Sequence, residues 1–316
     1  MKRFFFAFII ITLIFEILMF PKDAMEYAAL GLSLWFENMI PALFPFMVIS
    51  ALIIRLDIAP YIVSFLHPIL NKLYHTTPHC EYAIVMGFLC GYPMGAVIIK
   101  DLLNEGKITL DQANYLLTFC NNIGPVFFAS IVLPIFNTQI RPILLIGMYG
   151  IPLLYGFFMR YTVYRNVFTS SAYTTASKGN KQISKAKDSC FFDAFSASLN
   201  QAVSASLFLG ACMIFFNMLR FLPAMFLREN LILQTLACWL LESNGAIHNT
   251  QILCNENEHL ALLFIPFLSV GGLSCLCQTA GILHNTGCHL AKHFTHKILQ
   301  ALLWFGIMLL WHLNYK

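Results

Sequence analysis

Two clusters of helix-breaking and polar residues interrupt an apolar stretch in the first half of the chain. They are Gly91-Tyr92-Pro93-Met94-Gly95 and Asn121-Asn122-Ile123-Gly124-Pro125. Glycine and proline free backbone N–H and C=O groups here, which is costly in lipid unless those groups face protein or water. Secondary transporters often use broken helices near the membrane midplane to present helix ends to a solute. We therefore predict that the two clusters form a solute-binding site.

The candidate solute ligands in this half are Gly91, Tyr92, Pro93, Gly95, Asn121, Asn122 and Gly124. At the first cluster, free N–H groups and the N-terminal dipole of the following helix suit an anionic or polar solute. The alternative is a proline kink, or close helix packing through small residues. Asn121 and Asn122 could contact a carboxylate, a ribose or a ring nitrogen, or they could only hydrogen-bond a neighbouring helix.

The second half contains a similar pair of interruptions, at residues 240–246 and 269–274. Its candidate solute ligands are Asn244, Gly245, Ser269, Gly271, Gly272, Ser274 and Gln278. Gln278 follows Ser274 by four residues and so shares its helical face. Glu242 is an ionisable residue at apparent membrane depth, which makes it a candidate site for a coupling ion, H⁺ or Na⁺. The alternative is a carboxylate near the interface at the base of a hairpin.

Other reactive residues do not form a recognisable catalytic or metal motif. The ten cysteines include no C-x-x-C pair, so we expect small buried hydrophobes. His289 and His293 are four residues apart beside Cys288, a spacing that can bind zinc, but no acidic ligand accompanies them. The chain lacks H-E-x-x-H, G-x-S-x-G and P-loop motifs. We therefore predict a protein that is not an enzyme and that has no metal and no cofactor.

Composition indicates an integral membrane protein. Hydrophobic residues make up 59% of the 316 residues, charged residues 11%, and the mean hydropathy is +0.71. Soluble domains carry roughly a quarter charged residues. The net charge of +4 is small, so a nucleic-acid partner is not expected. The expected partners are the lipid bilayer, a small-molecule solute and a coupling ion, with a homo-oligomer or a partner subunit left open.

The predicted fold is all-α, with about six transmembrane helices and two re-entrant hairpins in two inverted repeats. Gly95-Ala96 and Gly245-Ala246 begin corresponding segments of the two halves, and each is followed by a second interruption. The layout comprises an N-terminal transmembrane helix (1–20), a first repeat with a re-entrant hairpin (21–164), a cytoplasmic linker loop (165–189), a second repeat (190–297) and a C-terminal transmembrane helix (298–316).

The distribution of basic residues orients this layout with the N-terminus in the cytoplasm. Five of the nineteen Lys and Arg residues fall outside: Lys22, Arg141, Arg220, Arg228 and Lys316. The other fourteen, Lys297 among them, fall on the cytoplasmic side, in agreement with the positive-inside rule.

Three segments together resemble the YlbJ-like sporulation integral membrane proteins of the nucleoside-recognition (Gate) domain family. They are residues 91–96 (GYPMGA), the turn 105–108 (EGKI) and residues 119–125 (FCNNIGP). Residues 269–278 (SVGGLSCLCQ) resemble that family's second Gly-rich segment, although Val270, Cys275 and Cys277 depart from its usual pattern. The resemblance covers roughly residues 27–285.

This resemblance implies a membrane protein of an endospore-forming bacterium with a role in spore formation. The family's distant kinship to concentrative nucleoside transporters implies two Gate-like repeats with re-entrant hairpins and an elevator-like carrier. Dipicolinate, a small aromatic dianion, is the candidate cargo that the resemblance suggests, with a nucleoside-like solute as the other. We expect a secondary carrier in the bacterial cell membrane or a forespore membrane. The alternative is a non-transporting scaffold, an assembly protein or a channel subunit.

Overall fold

A computed structural model describes residues 2–168 and 191–314, and within these ranges the chain is helical and contains no strand. The predicted linker 165–189 lies outside the described residues from 169 onward. In the first half the α-helices are α1 (Lys2–Met19), α2 (Pro21–Ser33), α3 (Ile40–Arg55), α4 (Ala59–Ile62), α5 (His67–Tyr74), α6 (Pro78–Cys90), α7 (Met94–Asn104), α8 (Leu110–Leu116), α9 (Pro125–Phe127), α10 (Arg141–Leu145) and α11 (Ile151–Tyr161). In the second half they are α12 (Phe191–Leu219), α13 (Phe221–Phe226), α14 (Leu231–Leu241), α15 (Ser243–Glu256), α16 (Glu258–Leu262), α17 (Gly272–Ile282) and α18 (Leu290–Asn314).

Several of these helices continue into short segments of π-helix, whose turns are wider, or of 3₁₀-helix, whose turns are tighter. Single π-helical segments lie at Leu34–Met39, Phe128–Val132 and Ile146–Gly150. Short 3₁₀ segments lie at Leu133–Ile135 and Ile265–Ser269. Such departures are common where proline removes a backbone donor, and Pro41, Pro45, Pro134 and Pro152 lie in or beside them.

Among the described residues, five helices are long and apolar enough to cross a membrane, against the six that the sequence predicts. They are Pro21–Arg55, Arg141–Tyr161, Phe191–Phe226, Glu258–Ile282 and Leu290–Leu313. Helix α1 is not among them, and it carries Lys2, Arg3 and Glu16 within 18 residues. Residues 110–136 also fall short, because the apolar helix that follows the break, Pro125–Ile135, is too short to cross a membrane. The last helix begins at Leu290, eight residues before the predicted boundary at 298.

Each half contains a helical hairpin followed by a broken helix. Helices α6 and α7 pack together and are joined by the turn Gly91–Pro93, where Gly91 has φ +86°. Helices α14 and α15 also pack together and are joined at Glu242, whose backbone is extended. The broken helices are α8–α9, interrupted at residues 117–124, and α16–α17, interrupted at residues 263–271.

Local sequence signals explain why the first hairpin ends where it does. Gly106, with φ +65°, follows the end of α7 in the left-handed region that favours glycine. Thr109 and Gln112 then form a capping box at the start of α8, as the sequence predicts. These two signals place the end of the hairpin and the start of the broken helix only six residues apart.

Two buried clusters hold the halves together. The first lies between α3, the first hairpin and α8, and includes Met47, Tyr82, Ile98 and Phe119. The second combines the segment after Pro125 with the second hairpin and the last helix, and includes Phe128, Trp239, Ile265 and Trp304. The long helix α12 packs along α2 and α3 on one side and α17 on another, so it connects the second half to the first.

Candidate functional site

The turn of the first hairpin packs directly on the backbone of the broken helix that follows it. A Cβ atom built on Gly91 would lie 2.4 Å from the Gly124 nitrogen, and one on Gly95 would lie 2.2 Å from the Cys120 oxygen. Gly87, one turn earlier, would meet the same Cys120 oxygen at 2.2 Å. Glycine at 87, 91 and 95 is therefore required for backbone contact, and we call these three residues the glycine seam.

The second half makes a comparable contact. Gly271 and Gly272 have φ +80° and +70°, and a Cβ on Gly272 would lie 2.8 Å from the carbonyl oxygen of Trp239 in the second hairpin. The Arg220 guanidinium donates from Nη2 to the Gly245 carbonyl at 2.8 Å. In both halves the tip of the hairpin is thus fixed by close backbone contacts.

A cavity of about 500 Å³ lies where the interruptions of the two halves meet. The first half contributes Tyr92, Pro93 and Gly124, and the second contributes Ser243, Cys275 and Gln278. Its polar lining is completed by Asn38 and Ser130, and most of the remaining wall is apolar. A site with an apolar wall and a few polar groups is typical of small-molecule binding.

Tyr92 links the two halves at this cavity. Its hydroxyl donates to the carbonyl oxygen of Ser269, and its ring edge lies 3.4 Å from where a Gly271 Cβ would stand. On the same side, Gln278 Nε2 donates to Ser274 Oγ at 3.1 Å, as expected for two residues on one helical face. The interruptions of both halves therefore meet in space.

The two predicted asparagines are fully buried but do not line the cavity. Asn122 donates to the Phe119 carbonyl at 2.6 Å and accepts from Lys297 at 2.7 Å, so both ends of its amide are engaged. Asn121 donates to Thr279 Oγ1 at 3.1 Å, whereas its oxygen has no hydrogen-bond partner among the described residues. Asn121 is therefore the better placed of the two to accept a further hydrogen bond.

The remaining predicted residues surround the cavity without lining it. Gly91, Gly95, Gly271 and Gly272 make the backbone contacts described above, and Ser269 Oγ donates to the Pro266 carbonyl. Glu242 is fully buried beside Ser243 of the wall. The side chain of Asn244 lies outside what the structure describes.

One face of the last helix satisfies the carbonyl groups that the break in the first half leaves free. His293 Nδ1 lies 2.7 Å from the Leu117 oxygen, and Gln300 Nε2 donates to the Thr118 oxygen at 2.5 Å. Lys297 lies between them on the same face, donates to Asn122, and has its ammonium 5.4 Å from the centre of the Tyr92 ring. The break thus obtains its hydrogen bonds from a helix about 175 residues away, as membrane interiors require.

Two basic residues are not the loop charges that the sequence layout predicts. Lys297, assigned to the cytoplasmic side, is fully buried on α18. Arg220, assigned to the outer side, is 8% exposed and donates to Asn217 and Gly245. Each side chain faces the protein interior, so neither residue reports on membrane orientation, which stays a prediction.

The histidine residues weighed as metal ligands have other contacts. His293 Nδ1 lies 2.7 Å from the Leu117 carbonyl oxygen, and His289 precedes α18, where its backbone N–H donates to Asn114 Oδ1. The described residues contain no group of three or more His, Cys, Asp or Glu side chains placed to hold a metal ion.

Charged groups gather at the end of the first hairpin, outside the five candidate spans. Burial raises the pKa of Asp101 to about 7, although a hydrogen bond from Gln201 opposes the shift. Burial also acts to raise the pKa of Asp57, but Lys107 at 2.7 Å and His79 at 2.9 Å lower it below its usual value. These contacts connect Asp57 to His79, at the start of the first hairpin, and to Lys107, just after its end.

Comparison with known proteins gives one informative similarity. Over 142 residues the chain is 30% identical to the sporulation integral membrane protein YlbJ of Bacillus subtilis (strain 168). The match covers 45% of this chain and only 34% of that protein, so it spans about a third of the relative's length. No protein-family profile matches the chain, and no solved structure matches it significantly. Together with the five apolar helices, this similarity supports an integral membrane protein.

Proposed function

We propose that this protein is a secondary carrier that moves a small polar or anionic metabolite across a bacterial membrane during sporulation. The observation that carries the proposal is the cavity of about 500 Å³ whose wall combines the interruptions of both halves. A scaffold has no need for a cavity bounded by broken helices. The similarity to YlbJ, a protein named for sporulation, supports the cellular setting.

The proposed architecture has two inverted Gate-like repeats, each with a re-entrant hairpin. Its support is the repeated order of hairpin and broken helix, together with the close backbone contact between them in each half. Solute binding at the hairpin tips places Tyr92, Pro93, Gly124 and Gln278 against the solute. Asn121, whose buried oxygen has no partner among the described residues, would contact it after a small movement.

Glu242 is the proposed coupling site, for H⁺ or Na⁺. It is fully buried at the junction of the two arms of the second hairpin, next to a cavity-lining serine. Buried carboxylates at membrane depth commonly mark ion pathways. In this scheme Glu242→Gln abolishes the dependence of uptake on the ion gradient, whereas gradient-dependent uptake that persists in the variant would remove Glu242 from the pathway.

Uptake into proteoliposomes tests the carrier function. Labelled dipicolinate and uridine are offered to protein in vesicles under imposed H⁺ and Na⁺ gradients, with empty vesicles as background. We expect saturable uptake that Gln278→Ala weakens and that Gln251→Ala leaves intact, because Gln278 lines the cavity and Gln251 is exposed on α15. Absence of uptake of either solute by folded protein under every gradient would favour a scaffold or a channel subunit instead.

A further inference from the structure

Lys297 is a fully buried lysine inside a candidate membrane span, and its one hydrogen-bond acceptor is neutral. Its ammonium donates to the Asn122 amide oxygen at 2.7 Å and faces the Tyr92 ring at 5.4 Å. Among the described residues, no carboxylate lies within 4 Å of the ammonium, and two of its three N–H donors have no hydrogen-bond acceptor. A positive charge in this setting is costly unless a negative charge compensates it.

The two buried arginines of the described chain have more hydrogen-bond acceptors than Lys297, although Arg220 Nε has none among the described residues. Arg160 donates to the carbonyl groups of Tyr74, Tyr164 and Arg165, and Arg220 donates to Asn217 and Gly245. Each guanidinium therefore holds several backbone or amide oxygens in place and has an evident structural role. Lys297 has a single acceptor, so packing alone does not account for a lysine here.

The position of Lys297 relative to the cavity suggests what compensates its charge. Tyr92 lines the cavity, and Lys297 lies against the ring of Tyr92, so one side chain separates the ammonium from the cavity. The cavity lining itself includes no charged residue. Cys275, also in the wall, lies within electrostatic reach of both Lys297 and Glu242.

We propose that Lys297 is the residue that makes the carrier select a solute bearing carboxylate groups over a neutral solute. This inference rests on the proposed function and specifies its substrate class. The ammonium attracts the anion through the cavity wall, without direct contact. At an effective dielectric constant of about 20, one unit charge behind the cavity wall is expected to change the affinity for a monoanion at least about tenfold.

The test compares two solutes of the same shape that differ in charge. Pyridine-2,6-dicarboxylate is a dianion at neutral pH, and pyridine-2,6-dicarboxamide is its neutral analogue. Uptake of both is measured for the wild-type protein and for Lys297→Arg, Lys297→Gln and Lys297→Met. Arginine keeps the charge, glutamine keeps a hydrogen-bond donor for Asn122 without the charge, and methionine keeps only the apolar length.

We expect the wild-type protein and Lys297→Arg to prefer the dianion. Lys297→Gln and Lys297→Met should each raise the KM for the dianion at least about tenfold, with little change for the diamide. Equal loss of both solutes in Lys297→Gln and Lys297→Met, or unchanged dianion uptake in either, would overturn the inference while leaving the carrier function standing. If uptake of the dianion is lost in Lys297→Met but kept in Lys297→Gln, the role of Lys297 is to hydrogen-bond Asn122, and the inference is overturned as well.

A binding measurement separates failure of this inference from failure of the carrier function. Thermal unfolding of the detergent-solubilised protein is followed with increasing concentrations of each solute. Dianion-dependent stabilisation in the wild type that is lost in Lys297→Met supports the anion site even if no transport occurs. A wild-type protein that neither transports nor is stabilised by the dianion overturns the inference. Lys297→Met leaves the buried Asn122 oxygen without its donor, so Lys297→Gln, which keeps a donor, is measured beside it.

Discussion

The ammonium nitrogen of Lys297 lies 2.7 Å from the amide oxygen of Asn122, although 175 residues separate them in the chain. This contact fixes the last helix to the break in the first half, at the point where the backbone has left its helical path. On either side of it, His293 and Gln300 bind the free carbonyl groups of Leu117 and Thr118. The last helix therefore supports the break of the first half through hydrogen bonds.

This contact predicts opposite responses to a carboxylate at two adjacent positions. Asn122→Asp places the carboxylate next to the Lys297 ammonium, so we expect a buried ion pair and an unfolding temperature close to that of the wild type. Asn121→Asp buries a carboxylate whose observed hydrogen-bond contact is the Thr279 hydroxyl, and we expect a loss of roughly 3 kcal/mol or more. Thermal melts in detergent measure both. Equal destabilisation by the two substitutions would contradict the described pairing.

Because the glycine seam packs on backbone, we predict that one methyl group added at Gly87 pushes the first hairpin away from the break in the next helix. In Gly87→Ala the new Cβ would lie 2.2 Å from a backbone carbonyl oxygen, which cannot move cheaply, so we expect a loss of about 1–3 kcal/mol. Gly306→Ala is the matched control, because Gly306 is also a mid-helix glycine and its Cβ would meet no atom within 4 Å. That control should be neutral or slightly stabilising. If Gly87→Ala and Gly306→Ala unfold at the same temperature, the first hairpin does not pack as described.

Asp101 predicts a pH dependence of stability at neutral pH. Its pKa is about 7 in the folded protein and about 3.9 in an unfolded chain, so the folded state holds its proton over a wider range. Stability should therefore fall as pH rises from about 4 to about 7, by at most about 4 kcal/mol, and level off above that.

Melts of the wild type and Asp101→Asn between pH 5 and pH 8 isolate this contribution. The difference in stability between the two proteins should change across the range and become constant above about pH 7. A constant difference from pH 5 to pH 8 would show that Asp101 does not titrate there.

Chemical modification of Cys275 tests whether the solute passes through the cavity. Cys275 lines the wall, whereas Cys277, two residues later on the same helix, is exposed on the outer surface of the protein. We expect a small thiol reagent to inhibit uptake by modifying Cys275, and a transported solute to slow that inhibition. Because Cys90 also lines the cavity, the double substitution Cys90→Ala with Cys275→Ala should remove the inhibition, and Cys277→Ala should not. Inhibition that persists in the double variant and disappears in Cys277→Ala would place the transport pathway elsewhere.

The positions of the interruptions could be predicted from the sequence, because glycine, proline and asparagine in apolar surroundings have strong local effects on the backbone. The chain leaves its helical path at Gly91–Pro93, between Leu116 and Pro125, at Glu242 and at Gly271. The pairing of Gln278 with Ser274 also followed from spacing alone. Whether the two halves are inverted in the membrane stays a prediction.

The contribution of the last helix could not be predicted in the same way. Lys297 lies near the edge of an apolar run, where a lysine usually marks the end of a span, so its charge was assigned to water. The signal that identifies it is the spacing of His293, Lys297 and Gln300, which recur every three or four residues on one helical face. Gly87 was missed because a single glycine in a helix has no local effect that reveals its neighbour.

The glycine seam has a mechanical consequence for any transport cycle. A hinge motion needs free space between the two moving elements. The glycine seam leaves less than the width of a methyl group between the first hairpin and the broken helix. The polar face of the last helix also holds the same broken helix, through hydrogen bonds from His293, Lys297 and Gln300. A carrier built in this way would open its cavity to each side of the membrane by moving these three pieces together as one rigid block past α12 and α3.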